Sequence, residues 1–342
     1  MTEYICVVNK GSIIIKPLKR SPVLLRMVML IFAMVCGVYI CTTCLKQISN
    51  HNRIKVEDIQ VVERPSRDAD PVQLQIHIVH YPNPKTFDRA ECLHNPVRYF
   101  AIFSMQRSGS GWFETLLNSH INVSSNGEIF SVLDRRRNVS SIISTLDKVY
   151  NLDWLTSASK NECSAAVGFK WMLNQGLMEH HEAITEYFNR RGVSVIFLFR
   201  RNLLRRMVSL LANSYDRHAK LLNGTHKSHV HSMEEAKTLA GYKPAINSSV
   251  LISDIQAVEA TAAKALDCFN STRHMVVYYE DIVKNITKLR DVQEFLRIPS
   301  RQLRSRQVKI HSGPLSEHIT NWEDVRKTLL GTPYESFLEA DY

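Results

Sequence analysis

Cysteine is scarce in this sequence of 342 residues, which contains seven. Beyond the longest apolar run of the chain only Cys92, Cys163 and Cys268 remain. Three cysteines form at most one disulfide, so a small fold held by a disulfide framework is excluded. Their spacing fits no zinc site, and we expect no metal. Internal repeats and low-complexity tracts are also absent, which excludes repeat architectures.

Charge is missing from residues 27–45, which read MVMLIFAMVCGVYICTTCL. A helix of about 19 residues, rising about 1.5 Å per residue, just spans the hydrocarbon core of a bilayer. The alternative, a cleaved signal peptide, has a shorter apolar core nearer the chain start. Basic residues are more frequent before the run than after it, so the N-terminal side should stay cytosolic. We therefore expect a single-pass type II Golgi membrane protein with a cytosolic tail over residues 1–26 and a lumenal body.

The region after this predicted signal anchor divides in two. Residues 46–95 are polar and have neither a helical nor a strand period, so we interpret them as a stem. The catalytic domain then covers residues 96–342. Asn-X-Ser/Thr sequons agree with a lumenal domain. They begin at Asn122, Asn138, Asn223, Asn247, Asn270 and Asn285.

Basic residues exceed acidic ones, with 43 Lys and Arg against 33 Asp and Glu and a net charge of +10. The excess indicates either a generally basic surface or a cleft for anions, such as nucleotide phosphates, acidic glycans or acidic peptides. Net charge alone does not choose between them. We expect no nucleic-acid partner, and the oligomeric state stays open.

Short apolar runs alternate with amphipathic stretches through the predicted catalytic domain. This alternation predicts an α/β fold with a parallel sheet and right-handed crossovers, in which ligands bind at the carboxyl ends of the strands. The predicted strands are 98–104, 166–172, 193–199 and 274–280, and the predicted helices are 110–118, 176–191, 203–213, 255–266 and 288–296.

The first predicted strand runs into a glycine-rich segment, SMQRSGSGWF, over residues 104–113. Glycines allow a tight turn in which several backbone N–H groups converge on one anion, and the following helix adds its positive end. An ordinary strand-to-helix turn is the alternative. A Walker A motif is absent, because Trp112 stands where its lysine should follow Gly111. ATP hydrolysis is therefore poorly supported.

The QRSGSGW segment resembles the 5′-phosphosulfate loop of sulfotransferases that use 3′-phosphoadenosine 5′-phosphosulfate (PAPS). The resemblance implies a three-layer P-loop-type fold with PAPS as co-substrate. It also implies a phosphosulfate contact from Arg107. The G-x-x-G-x-x-K pattern of the cytosolic branch is missing, so we expect a membrane-anchored branch. The loop residues implied to bind the co-substrate are Arg107, Ser108, Gly109, Ser110, Gly111 and Trp112.

A second resemblance follows the most strand-like run of the chain. In FRRNLLRRMVS, Arg201 and Ser209 are eight positions apart, the spacing of the family's 3′-phosphate site. An arginine at a strand end and a serine two turns into the next helix can contact one phosphate together. Near the C-terminus, the segment 305–325 resembles the family's nucleotide-covering loop, which makes Ser305 and Lys309 further candidates.

Two residues are candidates for the chemistry itself. The segment NSHINVSSNGEIFS resembles one found in the tyrosylprotein and nodulation-factor sulfotransferases, and it implies Glu128 as the general base, 21 residues after Arg107. A hydroxyl acceptor must lose a proton during transfer, which a nearby carboxylate can accept. Lys170, in an apolar strand, would stabilise charge on the departing nucleotide. A helix-capping Glu and a solvent-facing Lys are the respective alternatives.

These expectations define the predicted activity. The chain should move the sulfuryl group of PAPS to a hydroxyl of a secretory-pathway glycan or peptide, with Glu128, Lys170 and Arg107 in catalysis. Two other functions stay open: a P-loop nucleotide-dependent phosphotransferase, and a non-catalytic protein that retains the fold.

Overall fold

The computed structural model describes residues 4–9, 12–17, 27–38, 96–160 and 164–339. The chain separates into two compact units, Met1–Asp68 and Ala69–Tyr342. The predicted stem over 46–95 lies outside the described residues. So do Cys92 and Cys163, while Cys268 is a free thiol.

In its described residues, the N-terminal unit contains a hairpin and one helix. Strand β1 (Tyr4–Asn9) pairs antiparallel with β2 (Ser12–Pro17), and helix α1 covers residues 27–38. No helix in the described ranges is both long and apolar enough to cross a bilayer. Helix α1 covers only part of the predicted anchor, whose residues 39–45 lie outside the described ranges.

The C-terminal unit is built on a sheet of five parallel strands. In chain order they are β3 (Arg98–Ser104), β4 (Val123–Ser125), β5 (Ala166–Met172), β6 (Ser194–Phe199) and β7 (His274–Tyr278). Their order in the sheet is β4-β5-β3-β6-β7, so β3 is central. The predicted α/β fold with a central parallel sheet is confirmed.

The described helices of this unit are, in chain order, α2 (Ser110–Asn118), α3 (Val139–Tyr150), α4 (His181–Arg191), α5 (Leu203–Ala219), α6 (Met233–Ala240), α7 (Leu251–Cys268), α8 (Tyr279–Lys284), α9 (Lys288–Phe295) and α10 (Trp322–Leu329). Helices α2 to α7 lie between strands in the chain, and α8 to α10 follow the last strand.

The strands are apolar on both faces because helices cover both. Alternate residues point to opposite sides of a strand. In β3, Ala101 and Phe103 pack with α3, α4 and α7, whereas Phe100 and Ile102 pack with α2 and α9. The result is a three-layer unit. Lys170 of β5 is in register with Ile102, on the face that α2 covers.

Most predicted elements match the structure closely, and the differences have local causes. The last strand ends at Tyr278 because Tyr279 already begins α8. Helix α5 continues to Ala219 instead of ending at residue 213. Strand β4 and helices α3, α6, α8 and α10 were not predicted. The three residues of β4 are too few to show a period in the sequence.

Candidate active site

The glycine-rich segment forms a tight turn between central strand β3 and helix α2. Arg107 and Gly109 both have positive φ, 64° and 85°. A Cβ atom on Gly109 would lie 2.3 Å from the ring of Tyr279, and one on Gly111 would lie 2.4 Å from the ring of His229. No side chain caps the N-terminus of α2. The turn therefore presents helix N–H groups at the carboxyl edge of the sheet, which suits an anion.

Arg107 extends from this turn toward helix α5. Its Nε donates to Ser209 Oγ at 2.9 Å, and its Nη1 donates to Asn213 Oδ1 at 3.3 Å and to the Ser228 carbonyl at 2.8 Å. Burial, then Arg200 and Arg217, lower the pKa of Arg107 to about 10. Within the described ranges no carboxylate pairs with this guanidinium, which marks it as a cation arranged to meet an external anion.

Two further arginines hold the backbone of the turn. Arg206, buried on α5, donates from Nε to the Gln106 carbonyl at 2.9 Å. Arg200 donates to the Arg107 carbonyl at 3.3 Å, and its Nε lies 3.7 Å from Glu280. Burial and the proximity of Arg200 lower the pKa of Arg206. The edge of β3 and β6 is thus strongly positive.

Arg201 points elsewhere. Its Nη2 lies 2.8 Å from Asp281 Oδ2, and its guanidinium is 3.7 Å from the centre of the Tyr278 ring. The side chain is about half exposed. The structure therefore brings Ser209 to Arg107, while Arg201 pairs on the outside of the β7–α8 junction.

The two predicted chemical residues meet at the ends of β4 and β5. Lys170 Nζ lies 3.6 Å from Glu128 Oε2, and only 9% of the lysine side chain is exposed. The same Nζ lies 3.5 Å from Glu114 Oε2 on α2. The Gln175 side-chain amide donates to Glu128 Oε1. Glu128 is 33% exposed, so a ligand can reach its carboxylate.

Glu114 on α2 holds the backbone before Glu128 and the side chain of Lys170 in place. Its Oε1 accepts hydrogen bonds from Ser125 Oγ at 2.7 Å and from the Gly127 amide at 2.9 Å. The Lys170 amide donates to the Gly127 carbonyl at 2.9 Å. One buried carboxylate on the helix that follows the glycine-rich turn thus holds both the residue before Glu128 and the ammonium of Lys170.

Curated relatives of the chain carry one name. Nodulation protein H of Rhizobium meliloti is 24% identical over 250 residues, covering 71% of this chain and 96% of that protein. Nodulation protein H of Rhizobium tropici is 24% identical over 248 residues, covering 71% and 93%. Their name agrees with the nodulation branch that the Glu128 segment resembles. The resemblance to the PAPS-dependent sulfotransferases is confirmed. The prediction of a sulfotransferase enzyme is confirmed with it.

No family model matches the chain. Mouse sulfotransferase SULT7A1 complexed with PAP is a similar solved structure at 12% identity and TM-score 0.34, covering 68% of this chain and 64% of the mouse chain. A sulfotransferase from Alicyclobacillus acidocaldarius has 11% identity and TM-score 0.34, covering 72% and 97%. At TM-scores this low the superpositions carry no weight, and the fold rests on the strand pairing described above.

The remaining candidate residues lie around the turn. Ser305 Oγ is 2.6 Å from Thr115 Oγ1 on α2, which ties the 305–325 segment to the helix. Val308, beside Lys309, pairs with Val230 across an isolated bridge. Trp112 packs edge-on against Tyr279 at 5.4 Å between ring centres. Ser108 and Ser110 are buried in the turn.

Two histidines line the positive edge of the candidate site. His229 is exposed overall, but its ring lies against Gly111, and desolvation there, followed by repulsion from Arg107 and Lys170, lowers the pKa of His229 to about 4. Burial and the neighbouring His318 lower the pKa of His311 to about 3. Both imidazoles are therefore neutral at pH 7. Within the described ranges no group of three His, Cys, Asp or Glu side chains could hold a metal ion.

Sequence reasoning missed Glu114, Gln175 and His229. Glu114 lies seven residues after Arg107, on the α2 face that turns toward Lys170, and a helical projection of α2 could have suggested it. Nothing in the sequence near Gln175 or His229 indicates that either residue returns to the site.

Proposed function

We propose that this chain transfers the sulfuryl group of PAPS to a hydroxyl group of a secretory-pathway glycan or peptide, with Glu128 as general base. The observation that carries the proposal is the pairing of an accessible Glu128 with buried Lys170, in a unit whose glycine-rich turn carries the unpaired cation Arg107. Bound PAPS would supply an activated sulfuryl group to this pair.

The residues present suit an anionic nucleotide. Gly109 and Gly111 keep the turn free of Cβ atoms, and the N-terminus of α2 has no side-chain cap. We assign the 5′-phosphosulfate to residues Arg107–Trp112 and the 3′-phosphate to Ser209. Arg201 is the family's partner for that phosphate, and it would have to leave Asp281 to reach it. Ser305 and Lys309 belong to the segment that covers the nucleotide.

Glu128 would accept the proton of the acceptor hydroxyl as the oxygen–sulfur bond forms. Gln175 orients the carboxylate by donating to Oε1, which leaves Oε2 toward Lys170. Lys170 would place positive charge where the departing nucleotide gains negative charge. Glu114, by holding Lys170 at 3.5 Å, keeps the ammonium from pairing with Glu128 alone.

The test compares ligands and turnover on one preparation. 3′,5′-Bisphosphoadenosine (PAP) should raise the melting temperature, whereas ATP with magnesium should raise it much less. Labelled sulfate should pass from PAPS to a fraction of secretory glycans or peptides. Stabilisation by ATP with magnesium alone would favour a phosphotransferase, and PAP binding without transfer to any fraction would indicate a non-catalytic protein.

We also propose a type II topology in the Golgi membrane, with residues 27–45 as the anchor. It is supported by the charge-free run and by the exposure of five sequon asparagines, Asn138, Asn223, Asn247, Asn270 and Asn285. Asn122 is completely buried and should stay unmodified. Endoglycosidase should increase the gel mobility of cell-expressed protein, and Asn122→Gln should not change that shift. Protease access to the domain from the cytosol would contradict the topology.

A further inference from the structure

The rim beside Glu128 carries two arginines in the short 3₁₀ turn Leu133–Arg136. Arg135 Nη1 donates to the carbonyl of Ile129, the residue after Glu128, at 2.9 Å. Arg136 Nη1 donates to the carbonyl of Asn174 at 3.3 Å. Asn174 precedes Gln175, which donates to Glu128. Each guanidinium is therefore attached to backbone one residue away from Glu128 or from its hydrogen-bond donor.

Neither charge is neutralised within the described residues. Arg135 and Arg136 are partly buried, and no carboxylate there pairs with either. Arg135 instead stacks over Trp154, with its guanidinium 4.7 Å from the ring centre. Arg137 differs, since it is 75% exposed and lies 3.5 Å from Asp134. Guanidinium groups held in place without a carboxylate offer a paired donor geometry that matches an incoming carboxylate.

The same rim carries uncharged hydrogen-bonding groups. Gln106 Nε2 donates to Asn174 Oδ1 at 3.0 Å near the surface, where Asn174 is exposed. Side-chain amides both donate and accept, as sugar hydroxyls require. Because Glu128 is 33% exposed, a hydroxyl attached directly to a ring can reach it from the surface.

We propose that the acceptor is an acidic glycan whose carboxylate, on the reacting sugar or its neighbour, binds Arg135 and Arg136 while a hydroxyl meets Glu128. This inference rests on the proposed sulfuryl transfer. It narrows the acceptor from glycan or peptide to a uronate-bearing oligosaccharide. Recognition by paired charges in water weakens with ionic strength, so binding should be salt-dependent.

The experiment compares three acceptors with PAPS: a uronate-containing oligosaccharide, an uncharged chitooligosaccharide and an acidic tyrosine peptide. We expect kcat/KM for the uronate acceptor to exceed the others by about tenfold or more at low salt, as for one charged hydrogen bond. The advantage should shrink as salt is added. Equal use of the chitooligosaccharide, or a preference for the peptide, would overturn the inference.

Variants of the two arginines distinguish a role in acceptor binding from a role in folding. Arg135→Gln and Arg136→Gln should each raise KM for the uronate acceptor about tenfold. Neither should change KM for PAPS. Each variant loses one hydrogen bond to the backbone, so we expect a small fall in melting temperature, and the chitooligosaccharide rate should fall far less than the uronate rate. Arg137→Gln is the matched control and should change none of these. An equal effect of Arg137→Gln, or a fall in kcat for every acceptor, would overturn the assignment.

Calorimetry distinguishes failure of this inference from failure of the proposed function. The uronate oligosaccharide should bind the PAP-loaded protein and bind more weakly to the Arg136→Gln variant. Absence of that binding overturns the inference even if the protein transfers sulfate to another acceptor. Absence of PAP binding and of transfer to every acceptor overturns the proposed function instead.

Discussion

Replacement of Glu114 tests the arrangement at the ends of β4 and β5 most directly. Glu114→Ala removes a carboxylate that accepts from Ser125 and Gly127 and lies 3.5 Å from Lys170. Breaking a buried ion pair costs about 3–5 kcal/mol. For a domain of this size, each kcal/mol lowers the melting temperature by about 2–4 °C. We therefore expect Glu114→Ala to melt about 6–20 °C below the parent.

Glu114→Gln separates the charge from the hydrogen bonds. Its amide oxygen can still accept from Ser125 and Gly127, so the loss in stability should be smaller, about 1–3 kcal/mol. Among the residues that the structure describes, Glu128 is then the only carboxylate partner of Lys170. Because that pairing engages the carboxylate that should accept the acceptor proton, kcat should fall while affinity for PAP stays near the parent value.

The assay measures kcat, PAP affinity and melting temperature on one preparation of each variant. A buried glutamate with only a structural role predicts lower stability with kcat per folded molecule preserved. Glu114→Gln with parental kcat would therefore refute the positioning role. Parental stability of Glu114→Ala would refute the ion pair itself. Ser141→Ala, in the first turn of α3 after its N-cap Asn138, provides a control for handling and expression.

Three further predictions concern the rest of the site. Glu128→Gln should lower turnover about 10²–10⁴-fold at unchanged PAP affinity, and near-normal turnover in a folded protein would remove it as the base. Arg201→Ala should weaken PAP binding about ten- to a hundredfold but leave binding of adenosine 5′-phosphosulfate, which lacks the 3′-phosphate, near the parent value. If only Arg107→Ala weakens PAP binding, the 3′-phosphate is assigned to Arg107 instead. The lowered pKa values of His229 and His311 mean that stability should be full above pH 6.5 and fall as the pH drops toward 4, because the unfolded chain then binds more protons. Melting temperatures of the parent and His229→Gln across that range test this, and identical slopes would contradict it.

The central strands could be predicted because each is covered by helices on both faces. Such strands appear in a sequence as continuous apolar runs, and 98–104 and 166–172 match β3 and β5 residue for residue. Lys170 was noticeable for the same reason, as a charge within an apolar run. Its partner Glu114 could not be recognised in the same way, because a single Glu in an amphipathic helix is usually exposed. Only the tertiary packing shows that Glu114 lies against Lys170.

Spacing identified the phosphate-binding candidates but could not assign their contacts. The eight-residue interval singled out Arg201 and Ser209, and both lie where the strand and helix were expected. Which arginine reaches Ser209 depends on side-chain rotamers and on competing carboxylates. Asp281 is 80 residues from Arg201 in the chain, yet its carboxylate binds that guanidinium. The hydroxyl of Ser209 accepts a hydrogen bond from Arg107 instead. A local sequence pattern cannot show which distant carboxylate or hydroxyl pairs with a given arginine.

Strand β3 is central, and the candidate residues on its two sides have different proposed roles. On one side, β4 and β5 lead into Glu128, Lys170 and the arginine rim. On the other side, β6 leads into Arg200 and the serine that Arg107 contacts. In the proposed function, most donor contacts therefore come from the β6 side and the acceptor contacts from the β4 side, with Lys170 serving the donor from the acceptor side. Substitutions in residues 129–160 can therefore change the acceptor while the donor contacts are preserved. This is one way in which proteins of the same fold come to sulfate different acceptors.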